Sequence, residues 1–426
     1  MIVRQKVPRS TRSRLALCGL AVLPFAASYT KPLVGSTVSP YRATAFDGLI
    51  VIWLVHLLVS AGVRRGSPLS LRIRVWAPTF TLLAFLAILA TFREAALLSA
   101  LPYAGGVLVG GMVLAVVLTV SRPDGRFQRP RDAYRVLRNG WLIAAVLQAV
   151  AALSGLGGAA RSSGLFRFPN ELAIFGFCTV VIALAPDPPS MRSSVWTRAV
   201  GFFAGLVCLL LSGGRSATIA AAVLVIILTL QASIRRPPVA VAAVLLTLLL
   251  IPPIYHLLRQ RDPIAVDRIA SVGAELRLSE TNFFIDNWTA GVRKATETPV
   301  AVLFGVGYGR ATVSSAVFAG EFEIHNAYIG LLLSSGIVGV VILIVAVSKI
   351  AVRTGLHPPN RFEMAVAASL AVAALFHYLL NTRSVWLLFA VLLVRAESAG
   401  ARPKEEDCGL LPVGGSMDER PSGPRY

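Results

Sequence analysis

The sequence predicts an all-α polytopic membrane protein, and three observations carry that prediction. Of its 426 residues, 55% are hydrophobic and only 15% are charged, where a water-soluble domain carries about 25% charged residues; the mean hydropathy is +0.70. The charges fall between apolar runs of bilayer-spanning length, as in helical spans and unlike the short alternating segments of an outer-membrane barrel. Basic residues, finally, concentrate in every second connection between those runs.

The runs cover 15–30, 45–63, 76–92, 95–120, 140–157, 172–185, 196–212, 216–230, 238–255, 326–347, 363–380 and 384–396, about twelve spans, several of them short for the roughly 20 residues a span requires. The start, MIVRQKVPRSTRSRLALCGLAVLPFAASYT, has the basic and apolar regions of a signal peptide. With so many spans following, it reads as an uncleaved first helix. The N-terminal arm is basic (Arg4, Lys6, Arg9, Arg12, Arg14), as are RRGSPLSLRIR and SRPDGRFQRPRDAYRVLRN, the latter read as a loop. Arg192 with Arg198, Arg235 with Arg236, and Lys349, Arg353 and Arg361 mark the later even-numbered connections. Retention of positive charge on the cytoplasmic side then places both termini in the cytoplasm. Residues 1–396 form one transmembrane domain with a long outer loop at about 256–325, and the Gly-, Pro- and Ser-rich 397–426 reads as a disordered cytoplasmic tail.

The formal net charge of +20 is accounted for by these loops, so nucleic acid is not implied. Cys18, Cys178 and Cys208 lie in apolar runs and Cys408 in the tail, with no metal or disulfide spacing; they read as small buried hydrophobes. The outer loops hold no Asp-x-Asp, His-x-x-x-His, Cys cluster or Gly-x-Ser-x-Gly, so neither a metal site, a cofactor nor a serine hydrolase is indicated.

The remaining polar chemistry faces outward. In the long loop, Phe284, Trp288, Val292 and Ala295 follow helical spacing and predict a helix over about 279–296 lying on the mouth of the bundle. The FGVGYG that follows lacks the strand and the Lys-Ser/Thr of a phosphate loop and reads as a tight turn. In LSGGRSATIAAAVLV, two glycines free the backbone to turn and Arg215 then opens a helix. Such an N-terminus with a guanidinium suits an anion, against the alternative of an arginine snorkelling to headgroups. Arg161 and Arg167 precede Pro169 and Asn170 on the same side, Arg277 opens the loop helix, and Arg383 lies in NTRS. Several arginines on the outer side run against the positive-inside gradient, and an anionic ligand gives a reason. His325, in EFEIHNAYIG, is either a solvated interfacial histidine or, with an ordinary pKa near 6.5, a general base. Solvation accounts for Glu321 and Glu323, and Gly330, Ser334 and Gly336 offer a small surface for close helix packing.

HNAYIGLLLSSGIVGVVILI (325–344) resembles the signature of the bacterial O-antigen ligase and polysaccharide polymerase family, as does the order Arg167–Phe168–Pro169–Asn170, SGGRSA, Arg277 and Trp288, Gly305 and Gly307, His325–Asn326. The resemblance spans roughly 160–390 and is most specific at His325–Asn326. It implies an integral membrane glycosyltransferase of class-C-like helical fold in the bacterial cytoplasmic membrane, working without metal or cofactor. Its donor is a glycan on undecaprenyl pyrophosphate, and its acceptor a hydroxyl of a glycan, lipid or protein at the outer face. By the same resemblance Arg215 and Arg277 hold the pyrophosphate, with Arg167 and Asn170 as looser matches. His325 is base or part of the donor site, and Asn326 and Trp288 give support. Two other classes stay open: a flippase of the same lipid-linked glycan, whose arginines should line a cavity reached from both sides, and a non-catalytic scaffold of envelope assembly, in which His325→Ala is harmless.

Overall fold

The computed structural model describes residues 9–29, 44–62, 110–113, 117, 130–155, 163–166, 168–188, 191, 193–235, 256, 260, 279–307, 312–314, 321–323, 326–353, 361–377, 379 and 382–400. Its helices are α1 (Arg9–Ala27), α2 (Ala45–Gly62), α3 (Pro130–Leu153), α4 (Pro169–Leu184), α5 (Val195–Ser212), α6 (Arg215–Arg235), α7 (Ser279–Ala295), α8 (Pro299–Phe304), α9 (Ala327–Arg353), α10 (Arg361–Phe376) and α11 (Arg383–Gly400). A two-stranded antiparallel ribbon, β1 (Thr312–Ser314) with β2 (Glu321–Glu323), precedes α9. Among the described residues, four stretches are long and apolar enough to cross a bilayer: Pro130–Leu153, Val195–Ser212, Arg215–Ala232 and Ala327–Val345. Leu17–Ala27 and Pro169–Leu184 are shorter apolar helices. The protein is therefore a polytopic helical membrane protein. The runs expected at 76–92 and 238–255 and most of 95–120 lie outside the described residues.

Helix α4 is the axis of the bundle. Pro169 opens it after an extended Phe168, a favourable first position because proline lacks the N–H a first turn leaves unused. Every residue from Leu172 to Ala183 is buried, so α4 has neighbours all round. It meets α5 backbone to backbone: a Cβ on Gly176 would lie 2.8 Å from the carbonyl of Gly205, and one on Gly205 2.9 Å from that of Gly176, the close approach that small residues permit between membrane helices. On another side Trp141 of α3 stacks on Phe175 at 5.4 Å and donates to Thr179 Oγ1 at 3.0 Å.

The bundle is tied at both ends. At one, Arg383 at the start of α11 donates from Nε and Nη2 to Asp47 at 2.8 and 2.7 Å. At that same end Gln148 bridges the Ser28 carbonyl (2.7 Å) and the Leu165 N–H (3.0 Å). At the other, Asp187 in the α4–α5 connection receives Arg138 of α3 at 3.1 Å and Arg198 of α5 at 2.8 Å. Arg395 of α11 there donates to the Pro186 carbonyl at 2.7 Å and pairs with Glu363 of α10 at 3.1 Å.

Several expectations are corrected. The stretch read as a basic loop is helical from Pro130, because Arg138 finds the Asp187 carboxylate and Asp132 suits a first turn. Helix α9 runs on to Arg353 and is broken at Gly336 (φ 62°, ψ −170°). Its small residues receive α8 and the turn after it: Val306 N–H donates to the Leu333 carbonyl at 2.7 Å, and Ser335 Oγ caps the Leu331 carbonyl at 2.9 Å. Helix α11 continues to Gly400, the rest of the tail lying outside the described residues. Cys178 and Cys208 are buried as expected, but Cys18 is exposed on α1.

Candidate functional site

At the Asp47 end, the C-terminal part of α10 lies beside some of the described candidate residues. Helices α6 and α10 run antiparallel, since Gln231 near the end of α6 donates to the Arg361 carbonyl at the start of α10 at 3.3 Å. At about 1.5 Å per residue, Arg215 and Phe376 both lie about 23 Å back from that contact and so at the same level. Tyr328, in the first turn of α9, donates from its hydroxyl to the Ala371 carbonyl at 3.1 Å. The Trp288 ring of α7 packs on Phe376 at a centroid distance of 6.1 Å. The C-terminal part of α10 thus meets Trp288 and the head of α9, with Arg215 at a similar level on α6.

Arg215 stands where the two glycines put it. Gly213 ends α5 in the left-handed conformation (φ 59°), and its N–H bonds the Leu210 carbonyl. A side chain on Gly214 would collide with Ala173, which is why this turn can tuck against α4. Arg215 is half-buried at the first position of α6, beside the unused N–H groups of a first turn. Asn170 is exposed in the first turn of α4, three residues before Ala173, and so near the same turn.

Asn326 is 3% exposed and its Oδ1 accepts from the N–H groups of Tyr328 and Ile329, both at 3.0 Å. It is the N-cap of α9 and fixes the direction in which the chain enters the helix. That role leaves only its amide N–H groups for a ligand. His325, Arg277 and Arg167 lie outside the described residues. Arg383, one of the outward arginines, is satisfied by Asp47 and needs no ligand to explain it.

Helix α7 forms over 279–295, close to the expected 279–296, but turned about its axis. Its buried seam is Asn287, Gly291 and Ala295, while Val292 is 43% exposed. Ala295 packs on Leu333 of α9. Two turns back along each helix come Asn287 and the residues around Asn326, so these two amides sit at one level. Asn287 is 2% exposed, and neither its Oδ1 nor its Nδ2 has a hydrogen-bond partner among the described residues. The sequence reading passed over it, and also over His377, which follows Phe376 at the same helix end. A buried amide at the α7–α9 contact leaves no trace in a hydrophobic pattern; an aromatic-flanked histidine closing an apolar run was the signal for His377. Glu321 and Glu323 lie on β2, paired with Ser314 and Thr312 of β1.

The arrangement offers a permanent cation at a helix N-terminus, an indole, two buried amides and a histidine-bearing loop end, all at the rim of a membrane bundle. Such a rim suits an anionic, polyhydroxylated ligand anchored in lipid. No curated protein matches the chain. The family model for O-antigen ligase matches residues 200–344, roughly a third of the chain. That segment holds Arg215, Arg277, Trp288, His325 and Asn326, with Arg167, Asn170 and His377 outside it. Over residues 200–344 this chain is similar to the O-antigen ligase family.

Proposed function

We propose that the protein transfers a saccharide from a polyprenyl pyrophosphate carrier, of the undecaprenyl class, to an acceptor hydroxyl at the outer face of the bacterial cytoplasmic membrane. The observation that supports this reading most is that Trp288 packs on Phe376 and Tyr328 on the Ala371 carbonyl near the C-terminal end of α10, with Arg215 opening the neighbouring α6. The arginine-rich connections, at the opposite end of the helices, belong on the cytoplasmic side; the site then faces outward.

The chemistry asks for little covalent machinery. The acceptor oxygen forms a bond to the anomeric carbon as the bond from that carbon to the pyrophosphate oxygen breaks, with the bonding pair leaving on pyrophosphate. The acceptor's proton passes to a base, the role assigned to the His325 imidazole. Arg215, with Arg277 and Arg167, holds the pyrophosphate and stabilises the charge that grows on it. A guanidinium does this without proton transfer and with a fork that matches phosphate oxygens. Asn326 orients the strand-to-helix entry that carries His325, Trp288 offers a flat apolar face to a sugar or prenyl unit, and Asn170 flanks the Arg215 turn.

The test is to express His325→Ala and Arg215→Ala at matched membrane levels in cells lacking the native protein and to follow lipid-linked glycans by mass spectrometry. Short carrier-linked units should accumulate, and long or transferred glycan should fall by at least about a hundredfold, the usual worth of an acid–base or charge-stabilising group. Normal product in both variants would put the scaffold reading first. His377→Ala run alongside decides whether the second histidine of this rim shares the work.

A further inference from the structure

The Asp187 end, opposite the proposed transfer site, contains a buried arginine whose best binding edge is empty. Tyr134 and Arg138 lie one turn apart on the inward face of α3, and Arg138 is 2% exposed. Arg138 uses only Nη1, which donates to Asp187 Oδ1 at 3.1 Å. The other oxygen of Asp187 is taken by Arg198 at 2.8 Å and by the N–H and hydroxyl of Ser193 at 2.7 and 2.6 Å. Arg395 is held by the Pro186 carbonyl and Glu363, with its guanidinium 5.5 Å from the Phe362 ring centre. What remains without a partner among the described residues is Arg138 Nε, Arg138 Nη2 and the Tyr134 hydroxyl.

Nε and Nη2 are the two nitrogens of a guanidinium whose N–H bonds point the same way and together grip an anion. Arg383 uses that same edge on Asp47. In Arg138 the edge is vacant and buried, a costly state for a charged donor. The charges also fail to balance. Among the described residues of these pairs, Arg138, Arg198 and Arg395 bring three positive charges, while Asp187 and Glu363 bring two negative ones. The unfilled groups can all donate, and the surplus is positive.

We propose that the Nε–Nη2 edge of Arg138, together with the Tyr134 hydroxyl, binds one small inorganic anion of the halide class. A single-atom anion fits the burial, accepts all three donors and cancels the surplus charge. Bound there, it joins α3 to the α4–α5 connection and α11, stabilising the folded bundle without taking part in transfer.

The experiment uses the full-length protein in detergent. Its thermal unfolding is followed as chloride or bromide replaces gluconate at fixed ionic strength, and bromide-soaked crystals are examined by anomalous scattering. The expected result is a saturable rise in melting temperature with either halide and a bromide peak beside Arg138. Tyr134→Phe keeps the charge and the fold but removes one donor, and should raise the half-saturating halide concentration about tenfold, the worth of one hydrogen bond to a charged group. Arg138→Gln should abolish the response. A flat response to halide overturns the proposal, and so does an equal response in wild type and Tyr134→Phe, since the effect would then lie elsewhere.

Discussion

Asn287 separates two accounts of helix α7, as a passive cover over the α9 head or as part of the surface that meets substrate. A buried amide with no partner costs about 1–3 kcal/mol, so a protein gains stability by replacing it with an apolar residue of similar size unless a ligand uses it. Asn287→Leu is therefore expected to melt at the wild-type temperature or a few degrees higher while losing glycan transfer. Thermal unfolding and carrier-linked glycan analysis on the same membranes check both halves. Full transfer in this variant would make Asn287 a structural residue only. The case also shows what hydrophobic periodicity hides. Phe284, Trp288, Val292 and Ala295 gave the helix, and Ala295 does lie on its buried seam, but Val292 is exposed and the other seam residues, Asn287 and Gly291, carry no apolar side chain to be counted.

At the scale of elements, the break in α9 is the feature that the run of apolar residues concealed. SSGIVGVV reads as uninterrupted helix, and only the backbone shows Gly336 at φ 62° and ψ −170°, a region open essentially to glycine alone. The break has a consequence for packing. It lets the backbone of Leu303 and Phe304 approach so closely that a side chain at Gly336 would collide with it. In return Val306 N–H, in the segment after α8, bonds the Leu333 carbonyl. Irregular backbone at this depth is tolerated where protein, not lipid, surrounds it. Gly336→Ala should thus cost at least about 1–3 kcal/mol from strain alone, seen as a fall in melting temperature of several degrees, whereas Gly48→Ala, in a helix with open space around it, should leave the melting temperature unchanged or slightly higher. The SGGRS turn was legible for the opposite reason. Its glycines sit between two apolar runs, where a reversal is the only way to continue, and Arg215 opens α6 as the sequence reading placed it.

Over the whole molecule, the alternation of arginines suggests a topology but says nothing of the pairs some of them form. Arg383 and Asp47 are separated by 336 positions, and Arg138 and Asp187 by 49; no local pattern announces pairs that only the packed bundle brings together. The pairs at the Asp187 end make stability depend on acid in a definite direction. Burial alone would raise the Asp187 carboxyl, but the hydroxyl and N–H of Ser193 and the charges of Arg138 and Arg198 outweigh it and hold the carboxyl below the usual range. A carboxyl lowered on folding contributes stability that is fully present above its unfolded pKa, near 4, and is lost as pH falls through the lowered folded value. Wild-type protein should hold its melting temperature from pH 7 to about 5 and then lose it steeply on further acidification. Asp187→Asn should start lower, because it strands Arg138 beside a neutral amide, and should show a shallower acid limb. Melting curves of both proteins between pH 7 and 3 measure the difference. Parallel acid limbs would show that the pairs joining α3, α5 and the α4–α5 connection do not govern how this end of the bundle stays closed.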